Sequence, residues 1–305
     1  MKRQQLKGSL MLLLTAIIWG CAFVAQSAAM DSVGPFTFQA TRSLLGAVVL
    51  IPIILVMDKK KKNDQEHIEH LKNKKTLLIG GVVCGVILCA ASNLQQFGIV
   101  TTDPGKAGFI TAMYILLVPV LGLFIGKKVQ NRLWLCIVIA AAGLYFLCIN
   151  GSFSLASGDI LVILCAVVFS FHILAVDKFS PITDGVRLSC IQFFVCSLIS
   201  GILMLIFEKP ELNSIIAAAV PILYAGIGSC GIAYTLQILG QKYTPPTVAS
   251  LIMSLESVFA VIAQIVILRI VPSGREIIGC ILMFAAIIIS QLPERQKNSA
   301  QTDNM

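Results

Sequence analysis

Residues 94–114 read "LQQFGIVTTDPGKAGFITAMY", and residues 236–256 read "LQILGQKYTPPTVASLIMSLE". At an offset of 142 the two stretches place Gln95 against Gln237, Gly98 against Gly240, Thr102 against Thr244, Pro104 against Pro246, Ala107 against Ala249 and Tyr114 against Glu256. Each runs from the end of one apolar segment, through a polar turn with proline, into the next. Upstream lies a second echo. "GSLMLLLTAIIWGCAFVAQ" at residues 8–26 resembles "GDILVILCAVVFSFHILAV" at residues 158–176, an offset of 150. The chain repeats itself, and the repeated unit is a set of apolar segments.

Composition sets the solvent for those segments. Of 305 residues, 57% are hydrophobic and 12% charged, and the mean hydropathy is +0.90. Soluble domains are about a quarter charged. Apolar runs of ~18 or more residues read as bilayer-spanning helices. Ten runs qualify or nearly so: 7–26, 35–57, 77–97, 107–125, 133–149, 160–177, 186–207, 215–240, 248–268 and 277–292. The expected fold is an all-α polytopic membrane protein of ten transmembrane helices. Residues 7–149 form the first five-helix repeat, 157–292 the second, and 293–305 a cytoplasmic tail. Five is odd, so the second repeat enters the membrane upside down. Inverted repeats of this kind are typical of secondary transporters, with the substrate site between the halves near the midplane.

Lysine and arginine placement gives the orientation. With the N-terminus inside, 18 of the 23 basic residues fall on cytoplasmic segments and four outside, leaving Arg42 within a span. Both termini are therefore expected inside, in the plasma (inner) membrane. Topology accounts for the net charge of +8, and no nucleic-acid partner is needed. The loop "DKKKKNDQEHIEHLKNKK" (58–75) reads as a solvated connector close to anionic lipid headgroups. The basic start "MKRQQLK" resembles a signal peptide, and "IWGC" a lipoprotein box, but Trp19 stands where a small residue is required. Residues 7–26 are expected to remain as the first helix. All ten cysteines lie inside apolar spans and read as packing residues; His67 and His70 lack further ligands. No metal or cofactor is expected.

The ninth span holds one acidic residue, Glu256, within "MSLESVFAVIAQ" (253–264). Wound at 100° per residue, the span puts Glu256 on an arc with Ala249, Ser250, Met253, Ser254, Ser257, Ala260 and Gln264. Leu251, Ile252, Leu255, Val258 and Phe259 fall on the other side. The fourth span divides in the same way around Tyr114, with Gly108, Thr111 and Pro119 on its arc. Small residues permit close helix packing, which does not account for the glutamate. A charge at mid-membrane costs ~2.5–3.5 kcal/mol on insertion scales, so such a residue usually faces a cavity or partner. Glu256 is a candidate to bind substrate and to carry a proton through a cycle.

Arg42, in the second span, is its natural counter-charge, with snorkelling to the outer interface as the alternative. Its counterpart by the 150 offset is Gln192. Asn93 and Gln96 share a face of the third span and suit either substrate or neighbouring helices. His172 in the sixth span suits proton relay or an interhelical hydrogen bond. Trp19 lies too deep for an interfacial belt and either lines a cavity or packs the bundle.

"AIIWG" in the first span, "ATRSLLGAVVL" in the second, "GKAGFITAMYILLVPVLGLFIGKKV" in the fourth and "TVASLIMSLESVFAVIAQIVIL" in the ninth resemble the EamA-type transporters of the drug/metabolite transporter superfamily. The resemblance covers nearly the whole chain. It implies a ten-helix inner-membrane carrier whose cavity is lined by helices one, three, four, six, eight and nine, with five and ten peripheral. It makes Trp19, Asn93, Tyr114 and Glu256 cavity candidates, and matches Arg42 to the family's second-helix arginine. Two departures stand out. Ser257 replaces the proline that commonly follows the ninth-helix glutamate, which removes an expected kink. Leu268 and Arg269 replace a "GE"-like ending, and Gly126 and Lys127 stand at the fourth-span equivalent.

The expected function is export of a small polar metabolite, such as an amino acid or related amine, by alternating access in the lipid bilayer. Proton coupling and a homodimer are both left open by the sequence. A multidrug exporter of lipophilic cations is the rival within carriers. An intramembrane lipid- or peptide-processing enzyme is the rival from another class. It would have to rest on Ser170 and His172, which diverge on their helix, so no enzyme is expected.

Overall fold

The computed structural model describes residues 2–60, 73–102, 104–148, 157–263, 266 and 273–292. His67, His70, Leu268, Arg269 and the tail from 293 lie outside the described residues. The described residues are almost entirely helical, in segments that follow the apolar runs. Helices α1 (Lys2–Ala29), α2 (Pro35–Lys60) and α3 (Lys74–Ile99) are long and continuous. The fourth run is a rod in two pieces, α4 (Pro104–Ala112) and α5 (Tyr114–Phe124). Helices α6 (Asn131–Cys148), α7 (Ser157–Phe179) and α8 (Gly185–Phe207) follow. The eighth run is assembled from α9 (Leu212–Ala217), α10 (Ala219–Leu223), a π-helical stretch (Tyr224–Ala233) and α11 (Tyr234–Gln241). The ninth is again in two pieces, α12 (Pro246–Met253) and α13 (Glu256–Ala263), and α14 (Gly274–Gln291) ends the bundle. Prolines 35, 104 and 246 each stand at a helix start, where the missing N–H has no intrahelical partner to lose.

Among the described residues eight helical stretches are long and apolar enough to cross a bilayer, and Asn131–Phe146 is a shorter apolar helix. The outward face confirms the solvent. Leu198, Leu205, Phe207, Val220 and Ile281 are each more than 60% exposed. A continuous apolar surface of that kind is unstable in water and at home against acyl chains. This is a multi-pass membrane protein.

The packing repeats with the two halves of the chain exchanged. Glycine lets α1 and α11 touch backbone to backbone. A Cβ on Gly8 would lie 2.6 Å from Thr244 Oγ1 and 2.8 Å from the Gly240 carbonyl. A Cβ on Gly158 would lie 2.5 Å from Thr102 Oγ1 and 2.6 Å from the Gly98 carbonyl. These are the same contacts moved by the offsets of 150 and 142. Helices α2 and α8, themselves equivalent, lie antiparallel against each other. At one end the Glu208 carboxylate accepts from the Phe36 and Thr37 N–H groups, at 2.9 and 2.8 Å, and from Thr37 Oγ1 at 2.6 Å. At the other, the equivalent pair Arg187 and Asp58 form an ion pair at 2.7 Å. Between them Ser197 Oγ donates to the Ala40 carbonyl at 3.0 Å, and Cys190 Sγ to the Ala47 carbonyl at 3.5 Å.

The largest apolar cluster joins α1, α5, α6, α12 and α14 through Leu12, Ile115, Val118, Ile137, Leu251 and Met283. Helices α6 and α14 pack on each other beside it, and a Cβ on Gly143 would sit 3.0 Å from the Gly279 carbonyl. Leu251, Ile252, Leu255 and Val258, on the bulky side of the ninth run, are all buried among hydrophobic neighbours of other helices; exposure begins only at Ile262.

Candidate functional site

The break in the ninth run falls immediately before Glu256. Ser250 Oγ and Ser254 Oγ donate back to the Thr247 and Leu251 carbonyls at 2.9 and 2.8 Å. Such back-bonding competes with the helical ladder and bends helices. The next turn tightens, with Leu255 N to Ile252 O and Ser257 N to Ser254 O. The ninth run is therefore interrupted here without the proline, beside the back-bonding serines. Glu256 becomes the first residue of α13, where the half-helix presents its positive dipole end. The fourth run breaks at the equivalent place. Met113 N bonds Ile110 O, Leu116 N bonds Met113 O, and Tyr114 opens α5.

Tyr114 and Glu256 meet. The tyrosine hydroxyl donates to Glu256 Oε1 at 3.0 Å, with both side chains buried. Their separation of 142 residues equals the repeat offset, so exchanging the halves maps this pair onto itself. Around it lies a cavity of about 30 Å³ lined by Trp19, Ala22, Phe23, Gln26, Arg42, Gln95, Thr111, Tyr114, Phe169, Ile173, Ser229, Tyr234, Gln237 and Glu256. That is room for about two water molecules. The lining comes in equivalent pairs: Trp19 with Phe169, Phe23 with Ile173, Gln95 with Gln237, Tyr114 with Glu256. Trp19 stacks at 4.6 Å on Tyr234. Trp19 Nε1, Gln26 Oε1 and Gln237 Oε1 are buried without a protein partner.

Arg42 breaks the symmetry. It is buried, lines the cavity, donates through Nε to Gln39 Oε1 at 2.7 Å, and lies 5.1 Å from the Phe38 ring centre. It neither snorkels to an interface nor pairs with Glu256. Its equivalent Gln192 instead bonds His172 Nε2 at 3.1 Å, and His172 occupies the place equivalent to Ala22. One half thus offers the cavity a cation, while the other places the His172–Gln192 hydrogen bond at the equivalent position, with His172 Nδ1 and Gln192 Nε2 left buried without a partner. His172 is fully buried between the rings of Phe169 and Tyr234, outside the cavity lining. Ser170 Oγ bonds the Ala166 carbonyl and not His172, so no nucleophile–base pair is assembled there.

Asn93 and Gln96 are not brought to the cavity. Asn93 Nδ2 donates to the Cys89 carbonyl and to Ser200 Oγ at 2.8 and 3.0 Å, tying α3 to α8. Gln96 Nε2 donates to the Gln26 carbonyl at 3.2 Å, tying α3 to α1. The third helix reaches the cavity through Gln95, which also donates to Thr111 Oγ1 at 3.1 Å. Gln95, Gln237, Gln26, Ser229 and Tyr234 are lining residues that the sequence reading did not select. The alignment of Gln95 with Gln237 was the signal that pointed to two of them.

Apolar side chains pack at both ends of the cavity. Phe23, Ile99, Ala107, Ile110 and Val162 cluster at one end. At the other, the equivalents Leu12, Ile173, Ala249 and Ile252 belong to the large cluster, and Gln241, equivalent to Ile99, donates to the Ile173 carbonyl at 3.0 Å. Beyond this second plug opens a vestibule of about 670 Å³ lined by Lys127, Lys128 and Arg132 together with Gln5, Ser9 and Thr247. Lys127 forms an ion pair with Asp177 there.

Comparison with known proteins agrees with this architecture. An uncharacterized transporter of Archaeoglobus fulgidus is 27% identical over 291 residues, covering 95% of this chain and 87% of that protein. An uncharacterized transporter of Clostridium kluyveri is 24% identical over 317 residues, covering 96% and 95%. A crystal structure superposes with a TM-score of 0.76 at 18% identity, over 93% of this chain and 96% of that one, which is a likeness of fold. The EamA-like transporter family matches residues 6–149 and, separately, 156–292. With both stretches matched and nearly all of the chain accounted for, this protein belongs to the EamA-like transporter family.

Proposed function

We propose that this protein is a secondary exporter of amino acids or related amines, working by alternating access between two inverted five-helix repeats, 7–149 and 157–292. The family is one of transporters and not of enzymes, so a small-molecule substrate and a lipid bilayer are its partners. The proposal adds ten spans, both termini cytoplasmic, in the plasma membrane, with the tail from 293 on the same side. Support for the inversion comes from α2 and α8, equivalent helices that pack antiparallel with exchanged contacts at each end. Broken helices at mid-depth are also what transporters of this design place at their substrate sites.

The observation that carries the substrate class is one cavity holding Arg42 and Glu256 without an ion pair between them. A guanidinium suits a carboxylate and a carboxylate suits an ammonium, so the two ends of an amino acid have opposite anchors. Gln26 Oε1 and Gln237 Oε1 supply further acceptors toward an ammonium. Trp19, Phe23, Phe169 and Tyr234 supply an apolar wall for the side chain. The same arginine disfavours a lipophilic cation, which Glu256 alone would attract. Glu256, hydrogen-bonded to Tyr114, is the group proposed to bind and release a proton as access alternates. The seven candidates divide accordingly. Trp19, Arg42, Tyr114 and Glu256 are proposed to contact substrate, and Asn93, Gln96 and His172 to hold the helices that carry them.

Counterflow in proteoliposomes tests this with a panel of amino acids, decarboxylated amines and cationic dyes. Amino acids should exchange best. Arg42→Gln should weaken amino acids by about tenfold, ~1.4 kcal/mol, and leave decarboxylated amines nearly unchanged. Preference for dyes, or equal loss of both substrate types, would contradict the assignment.

A further inference from the structure

The vestibule differs in chemistry from the cavity beyond its plug. Lys127, Lys128 and Arg132 line it, and among the described residues no acidic side chain does. Lys127 pairs with Asp177, which lies outside the lining. Lys128 is exposed and has no carboxylate partner among the described residues. Arg132 Nη2 donates to the Ser290 carbonyl at 3.5 Å, which holds the guanidinium at the end of α14. Helices α6 and α12 both begin at this space, and a helix start adds positive potential to that of the side chains. The surplus of positive charge surrounds about 670 Å³, against about 30 Å³ in the cavity. The lining comes from the starts of the first, fifth and ninth apolar runs and from the ends of the fourth and tenth. Where apolar runs end, the headgroup layer of a bilayer begins. The edge of the vestibule is nevertheless apolar: Leu6 and Leu292 line it and are 60% and 52% exposed.

We propose that the vestibule binds the phosphate headgroup of an anionic phospholipid, with the acyl chains leaving over Leu6 and Leu292. Basic pockets between membrane helices at headgroup level suit such lipids. Arg132 offers a planar fork that matches phosphate, and Lys128 a mobile point charge beside it. A zwitterionic headgroup brings a cation of its own into a space already positive, so the net charge of the lipid decides the selection. A free phosphate would meet the same cations but make no use of the apolar edge. Leu123, Phe124 and Ile125, between the lining residues Gly122 and Lys127, extend that exposed apolar surface. The lining draws on α5 and α6 of the first half and on α12 and α14 of the second. A lipid seated there bridges the halves.

The test uses the full chain, purified in neutral detergent and stripped of lipid, then titrated with phosphatidylglycerol or phosphatidylcholine while native mass spectrometry counts bound lipid. Phosphatidylglycerol should bind about tenfold more tightly, and the preference should shrink as salt is raised. Lys127→Gln combined with Lys128→Gln should abolish the preference. Lys59→Gln combined with Lys60→Gln, on the exposed end of α2 away from the vestibule, should keep it. Phosphatidylglycerol with a photoreactive headgroup should label residues 118–133 and 245–248. Equal binding of the two lipids, or a preference that survives in the vestibule variant, would overturn the proposal. Labelling confined to other segments would overturn it without either variant having to fold. Displacement of the lipid by millimolar inorganic phosphate would assign the site to a free anion. Displacement by amino acids would assign it to the transport route, and either result contradicts a lipid site.

Discussion

Glu256 shows how much one residue can say and where it stops. A carboxyl among the twenty uncharged residues of its span is costly anywhere but in a cavity or against a partner, and the structure gives it both. A cavity was expected from its position, with Arg42 as its natural counter-charge; the partner found is Tyr114, which the repeat offset places at the equivalent position. The identity of the third-helix contact was not foreseeable. Asn93, Gln95 and Gln96 lie within one turn, and 100° per residue decides which faces the axis only once the neighbours are known. Gln95 won because Thr111 and the cavity lie on its side, whereas Ser200 and the Gln26 carbonyl accept from the amide nitrogens of the other two. The Tyr114 hydroxyl is a donor to a buried acidic group, a bond of ~1.5–3 kcal/mol. Tyr114→Phe should therefore lower exchange by about tenfold or more, while the protein stays folded in detergent with a melting temperature lower by several degrees. Unaltered exchange would remove the hydroxyl from the mechanism.

At the scale of elements, the apolar runs located every helix, because a backbone in lipid must satisfy itself and helices do so. The interruptions were harder to read. Resemblance to relatives placed a kink at a proline that this chain lacks. The run is interrupted there beside back-bonding serines, and the equivalent break before Tyr114 occurs with no proline beside it. The π-helical stretch 224–233, which turns Ser229 toward the cavity, has no periodic signature of its own. Glycine packing is testable at this level. Gly158→Ala puts a Cβ 2.6 Å from the Gly98 carbonyl. Overpacking costs ~1–3 kcal/mol, so the melting temperature should fall by several degrees. Gly201→Ala on α8 meets nothing within 4 Å. It should be neutral or slightly stabilising, since alanine is the better helix former by ~0.5–1 kcal/mol. Equal effects of the two substitutions would argue against the close α3–α7 contact.

For the whole molecule, duplication was the legible feature and asymmetry the hidden one. The two offsets in the sequence relate contacts that recur with halves exchanged, and place Tyr114 and Glu256, which meet, at equivalent positions. They did not foretell that Arg42 and Ala22 would oppose a His172–Gln192 pair, or that only one end of the cavity would carry a glutamine, Gln241, in its plug. Those differences depend on which side chain fills a given gap in three dimensions. They are also what a carrier needs in order to treat its two openings unequally. The cavity holds only about 30 Å³ here, so a substrate as large as an amino acid requires its walls to move apart. The account predicts that Glu256 is indispensable to that cycle. Substrate exchange should be measured for wild type and Glu256→Gln in proteoliposomes at matched protein content, with melting curves to confirm folding. Loss of exchange in a normally folded Glu256→Gln protein is the predicted result; exchange at the wild-type rate would contradict it.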